Sequence, residues 1–374
     1  MCRAFVFKRG FGPEKVEGDF HKGINIVDTP RPFRYDGFIM EVNETNTFPQ
    51  SLLEATRYFD DMDVCVEFVA AMRWPNGPVC DHCGSTKNSY LSTRRIWKCM
   101  NKECRKQFSV KTGSIFEDSP IALDKWLTAV WLIVNCKNGI SSYEIARDVK
   151  VTQKSAWFML HRIRLALKGG SWEKLGGPDG GAVEVDESFF GGDPKNWHKS
   201  RRDKRKAEVR TERVKEYQNR YTHKTSVVGM LDRESRQIRA KVVPNVKRDT
   251  LQKEILDNIE FGSKVYTDQA VAYTSLKDKY VHETVNHAVE YVRGEVHTNS
   301  LENFWSLLKR NLSGTYVAVE PFHLDRYIDE QAFRFNNRKN KNDADRFMLA
   351  VSQISGKRLT YAELTGKEAE TTAF

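Results

Sequence analysis

Apolar residues recur at helical spacing in several stretches of the chain and at strand spacing in the block between them. Residues 1 to about 50 show neither period, mixing Phe, Pro, Gly and charges, so 1–57 reads as an extension of unassigned role. From about Asp60 to Arg73, Val64, Phe68 and Met72 share one side of a helix. Trp74-Pro75-Asn76-Gly77-Pro78 ends it, because Pro and Gly terminate helices and form turns. Leu123, Trp126, Leu127, Val130, Trp131 and Val134 mark a buried helix that begins near Ser119-Pro120 and stops at Gly139. Ser141-Ser142-Tyr143-Glu144 is a capping-box pattern and predicts a short helix through Asp148. Thr152 is placed to cap a third helix running to Lys168. Helices so spaced read as a helix-turn-helix domain over 119–170, with a plain helical linker as the alternative. Gln153, Lys154, Arg162 and Arg164 are its candidate DNA contacts.

Ser171 to Gly181 is Gly-rich and reads as a linker. Beyond it the period turns to that of strands, expected at 182–186, 225–231, 237–243, 263–267 and 281–285. A helix at about 249–259 precedes the fourth strand, one over 297–312 follows the fifth, and 323–335 forms another. In the 297–312 helix Leu301, Phe304, Trp305, Leu308 and Leu312 make an apolar stripe. Glu302, Ser306 and Lys309 fall on a neighbouring polar stripe, with roughly 10 Å of rise between the first and the last. Asn299 with Glu302 is also a capping-box pattern, so the glutamate has a purely structural reading. Asp186 follows the strand-like 181–185 and Asp268 the strand-like 263–267. Two strand-end aspartates and a helical glutamate suit a divalent-metal site, because hard cations take oxygen ligands. Glu187, next to Asp186, belongs to the opposite face of its strand and reads as structural.

Cysteine spacing adds a second metal. Cys80 and Cys83 form one pair, Cys99 and Cys104 another, with fifteen residues between them. That is a four-thiolate zinc pattern of ribbon type, with His82 as an alternative ligand. Strands are expected within 90–98 and 107–116, so 58–118 reads as a helix plus zinc ribbon. Cys2, Cys65 and Cys136 have no such partners.

Charge points to the partner. The 374 residues carry a formal net charge of +10, which suits a polyanion, most simply double-stranded DNA. Residues 191–224, between the first two strands, hold twelve Lys and Arg against five Asp and Glu, most of that excess. Arg201, Arg202, Lys204 and Arg205 make this insertion a candidate DNA-backbone clamp, a flexible loop being the alternative. No apolar run approaches a membrane span and the N-terminus lacks a signal-peptide core, so a cytoplasmic protein is expected, with no membrane partner.

The carrying motifs are Arg73-Trp74-Pro75, Val185-Asp186-Glu187-Ser188-Phe189-Phe190-Gly191-Gly192, Val265-Tyr266-Thr267-Asp268, Tyr291-Val292-Arg293-Gly294 and His297 to Arg310. Gly314-Thr315-Tyr316 and His323-Leu324-Asp325-Arg326-Tyr327 extend them. From about residue 60 to 362 the chain resembles bacterial insertion-sequence transposases of the DDE type, in the zinc-ribbon, Merlin-related branch. The resemblance implies a multidomain chain: the zinc ribbon, the helix-turn-helix, an α/β RNase H-like catalytic domain over 178–345 and a tail over 346–374. It implies a catalytic trio of Asp186, Asp268 and Glu302, with Lys309 seven residues after the glutamate. Asn299 and Asn303 stand beside Glu302 as possible contributors. Two Mg²⁺ or Mn²⁺ ions, structural Zn²⁺ and a homodimer or higher oligomer on DNA are implied too, with the protein at the nucleoid. The expected activity is cleavage at terminal inverted repeats and joining of the 3′-OH ends to target DNA. An RNase H-like nuclease without strand transfer, or a domesticated DNA-binding regulator, are the rival readings.

Overall fold

The computed structural model describes residues 48–169, 173–177, 180–192, 198–200, 202–203, 224–268, 273, 279–285, 298–317, 319–339 and 341–367. It begins with helices α1 (Leu52–Tyr58) and α2 (Met62–Arg73) and strands β1 (Asn88–Leu91), β2 (Ile96–Cys99) and β3 (Gln107–Phe108). Helices α3 (Leu123–Asn135), α4 (Ser142–Asp148) and α5 (Gln153–Leu167) follow. Next come β4 (Val183–Phe190), β5 (Thr225–Asp232), β6 (Ile238–Val243), α6 (Arg248–Asn258), β7 (Lys264–Asp268) and β8 (Val281–Val285). Helices α7 (Asn299–Asn311), α8 (Leu324–Asn336), α9 (Asp343–Ser352) and α10 (Tyr361–Leu364) complete the chain. It divides into two compact units, Met1–Thr128 with Asn342–Arg358, and Ala129–Lys341 with Leu359–Phe374.

In the first unit β1, β2 and β3 form a small antiparallel sheet. Trp97 on β2 packs against Trp74 and Phe108, a core too small to hold three short strands unaided. Arg73 braces it from the end of α2: its guanidinium donates to the Val110 carbonyl at 2.8 Å and to Asp81 at 3.0 Å. The helix at 52–58 falls almost wholly inside the expected extension, and α9 straddles the expected boundary between catalytic domain and tail. Both pack into this unit, where Phe347 of α9 is fully buried against Phe48, Phe59 and Phe68. Seven residues of α1 are too few for a helical period to show in sequence.

The second unit holds a five-stranded sheet in the order β6-β5-β4-β7-β8. The β4–β5 and β5–β6 pairs are antiparallel, and β4–β7 and β7–β8 are parallel. Alternation along β4 decides what each face carries. Val183 and Val185 join Val265 and the α6 residues Leu251 and Ile255 on one face. Phe190, with Val227 and Leu231 of β5, joins Leu301, Trp305 and Leu308 of α7 and Ile328 of α8 on the other. The free edge of β6 is covered by α8: Asn336 exchanges hydrogen bonds with the Ile238 backbone, and Asp325 accepts from Val242 N–H at 2.9 Å.

Helix α5 belongs to this same unit and is locked to α8. Arg164 donates to Glu330 at 2.7 Å, with both side chains buried. Glu330 also accepts from Arg334 and from Tyr316 Oη. Burial opposes its ionisation, but the two guanidiniums outweigh that and hold its pKa below the usual value. His161, one turn earlier, is fully buried among Trp157, His323 and Tyr327.

Candidate metal centre and nucleic-acid surface

Strand register builds the acidic site. Val183 pairs with Val265 and Glu184 with Tyr266 across β4 and β7. Continuing that register two residues brings Asp186 level with Asp268, on the same face. Helix α7 is fastened to β4 beside them by two bonds. Glu184, fully buried, accepts the Leu301 backbone N–H at 3.0 Å with one oxygen and Arg233 Nε at 2.6 Å with the other. Its carboxylate thus meets the positive end of the helix. Trp305 Nε1 donates to Asp186 at 3.0 Å. The expected capping box at Asn299 is not formed: Thr298 precedes the helix without a side-chain cap, and Glu184 supplies the acceptor from the neighbouring strand.

Gly229 makes this docking possible. It lies directly opposite Asp186 on β5. A Cβ there would stand 2.7 Å from the Trp305 ring and 3.0 Å from Leu301. A lone glycine inside a strand pattern is the one sequence signal that could have found it.

The resulting cleft, about 420 Å³, is lined by Asp186, Glu187, Ser188, Glu302, Trp305, Ser306 and Lys309. Glu302, Ser306 and Lys309 are exposed on α7, in the helical stripe expected for them. Burial raises the Asp186 pKa to about 6, the charges of Asp268 and Glu302 adding to the push. Burial raises Glu187 to about 7 against the pull of the Tyr273 hydrogen bond, with Asp268 and Asp186 again adding. Crowded carboxylates that resist ionisation are what a bound cation would relieve, so the donor set fits a hard divalent ion.

In the ribbon, the sulfurs of Cys80, Cys83, Cys99 and Cys104 all lie within 4.8 Å of one another. Cys80 to Cys104 is 3.8 Å and Cys83 to Cys99 is 3.6 Å. Tetrahedral Zn–S bonds of ~2.3 Å put sulfurs ~3.8 Å apart, so the set fits structural Zn²⁺. His82 is exposed and outside the group.

Residues 178–336 match the ISXO2-like transposase domain and residues 61–107 the transposase zinc-ribbon domain. The chain belongs to the IS1595 transposase family. An uncharacterized protein in transposable element ISH50 of Halobacterium salinarum is 28% identical over 66% of this chain and 81% of its own length. An uncharacterized transposase-like protein of Haemophilus influenzae is 32% identical over 27% of this chain and 82% of its own. A simian T-cell lymphotropic virus intasome, solved in complex with PP2A regulatory subunit B56 gamma, covers 56% of this chain and is itself covered to 69%. At 13% identity and a TM-score of 0.25, that superposition is too loose to speak for the fold.

The expected DNA contacts of this transposase divide by burial. Lys154 is exposed, its ammonium 4.7 Å from the Tyr361 ring, and Gln153 donates to Ser142 Oγ at 2.9 Å. Arg162 and Arg164 are buried and face the interior of the fold, which corrects their reading as DNA contacts. Arg162 donates to the Leu359 carbonyl at 3.0 Å and stacks on Phe158, while Arg164 is held by Glu330 between Tyr316 and Tyr327. Arg202 is exposed; Arg201, Lys204 and Arg205 lie outside the described residues. No helix among the described residues is long and apolar enough to cross a membrane.

Proposed function

We propose that this chain cleaves DNA at the terminal inverted repeats of an insertion sequence and joins the freed 3′-OH ends to target DNA. The carrying observation is that Asp186 and Asp268, on adjacent parallel strands, bring carboxylate oxygens within 4.8 Å of each other, and Glu302 and Lys309 line the cleft beside Asp186. The strand order, with the first strand central, an antiparallel pair on one side and a parallel pair on the other, supports an RNase H-like catalytic domain over 178–345. Asp186 would hold both of two Mg²⁺ or Mn²⁺ ions, Asp268 and Glu302 one each. When bound, such ions activate the attacking oxygen and stabilise the leaving one of a phosphodiester. Lys309, two turns along from Glu302, offers an ammonium to a phosphate beside the reacting one. Trp305 and Glu184 keep α7 seated so that the carboxylates remain together.

The helix pair α4–α5 serves as the helix-turn-helix of 119–170. Such a motif reads bases with the N-terminal residues of its second helix, which here are Gln153 and Lys154. The insertion at 191–224 clamps the DNA backbone, and the zinc ribbon shares in end recognition. The active species is a homodimer or higher oligomer on DNA, in the cytoplasm at the nucleoid.

A strand-transfer assay on a pre-cleaved element end in Mg²⁺ tests this reading. Wild type should join the end to target DNA. Asp186→Asn, Asp268→Asn and Glu302→Gln should each lose cleavage and joining by orders of magnitude while end binding persists, and their losses should be far from additive. Near-normal joining by Glu302→Gln, with Asn299→Ala or Asn303→Ala dead, would move the third ligand to an asparagine. Cleavage without joining would leave a nuclease.

A further inference from the structure

The acidic site is lopsided. One carboxylate oxygen from each of Asp186, Glu187 and Asp268 lies within 4.8 Å of the other two, and Glu302 is not in that group. Three oxygens at ~2.1 Å from one Mg²⁺ stand at most ~4.2 Å apart, so the trio is close to the span of a single coordination sphere. Glu187 starts from the face of β4 opposite Asp186, with Val183 and Val185. Its carboxylate nonetheless comes within 4.8 Å of those of Asp186 and Asp268, just beyond the last paired residues of β4 and β7, Glu184 and Tyr266.

Glu187 is also held there. Tyr273, buried in the core of that face, donates its hydroxyl to Glu187 Oε1. A tyrosine spent on orienting a carboxylate at the rim of a metal site is the arrangement that outer-shell partners give to ligands.

We propose that Glu187 is a ligand of the ion that Asp186 and Asp268 hold, with Tyr273 as its positioning residue. The inference rests on the metal-dependent reading above and deepens it. One ion then has three carboxylates and the other, at Asp186 and Glu302, has two. Affinity for a hard cation follows the number of charged ligands, so the two ions bind unequally. The tighter one depends on Glu187 and the weaker on Glu302.

The test is Mn²⁺ titration of the full-length, zinc-loaded protein, with free Mn²⁺ read by electron paramagnetic resonance. Wild type should show two classes of site. Glu187→Gln should weaken the tighter class by about tenfold or more, and Tyr273→Phe by about tenfold. Glu187→Asp, which keeps the charge, should recover part of the loss. Glu302→Gln should leave the tighter class within about twofold of wild type, since it holds the other ion. Wild-type Mn²⁺ binding by Glu187→Gln and by Tyr273→Phe would overturn the proposal. Strand transfer by the wild type, run in parallel, separates the two failures. Joining with unchanged Mn²⁺ binding in Glu187→Gln removes the ligand and keeps the transposase. Lost Mn²⁺ binding without joining by the wild type does the reverse.

Discussion

His161 sits on a helix expected to face DNA, yet it is 0% exposed and neither ring nitrogen has a hydrogen-bond partner among the described residues. Burial, reinforced by the charge of Arg164, lowers its pKa from 6.5 to about 2. The sign follows from linkage. Below pH about 6.5 the unfolded chain takes up a proton on this ring that the folded chain refuses, so stability is full above that pH and lost as pH falls. The loss amounts to about 1.4 kcal/mol per pH unit. His161→Phe removes the titrating group. Urea unfolding at pH 7.5, 6 and 5 should show wild type losing stability relative to the variant at about that slope. Parallel stability curves for the two proteins would mean that His161 protonates in the folded state.

Helix α5 looks like a DNA-reading helix in its sequence, and most of it is scaffold. From Met159 to Arg164 every residue is buried, and its two interior arginines serve α8 and the 359–361 segment. Truncating one partner of a buried ion pair strands the other charge and costs about 3–5 kcal/mol. Arg164→Ala should therefore lose stability of that order, with any loss of DNA affinity following from unfolding. Lys154→Ala should do the opposite, keeping the denaturation midpoint while weakening binding to end DNA. Circular dichroism melts and fluorescence anisotropy on the same preparations separate the two. An Arg164→Ala protein of normal stability that no longer binds would return this arginine to the DNA surface. Helix α7 carries the converse lesson, because its polar stripe was legible in sequence but its seat was not. That seat is Gly229 with Glu184, residues of two strands that meet only through sheet register.

For the whole molecule, the division into two compact units sets what metal removal should do. The ribbon has a core of a few aromatics and takes its remaining stability from the four thiolates and their ion. The five-stranded sheet carries apolar clusters on both faces and no ribbon cysteine. Chelation of zinc should expose backbone amides between residues 80 and 108 to hydrogen exchange and leave 225–243 protected. Exchange of both segments together would show that the units unfold as one.

Most of the elements, and the residue types of the zinc ribbon and of the candidate acidic site, were legible in the chain alone. Helical and strand periods placed the five strands of the sheet and α7 to within a few residues, because burying one face of an element imposes its period on the chain. Four cysteines in two close pairs identified the ribbon, since their ligation needs only local spacing. Tertiary structure alone decided which polar residues face solvent. A basic position on an amphipathic helix reads the same whether a duplex or a buried glutamate waits opposite, so Arg162 and Arg164 were misread. It decided the place of α1 and α9 as well, since Phe48, Phe59, Phe68 and Phe347 meet from segments almost three hundred residues apart. And it drew the Glu187 carboxylate toward Asp186 and Asp268, held by the hydroxyl of Tyr273, a contact from a distant segment that strand alternation alone does not foretell.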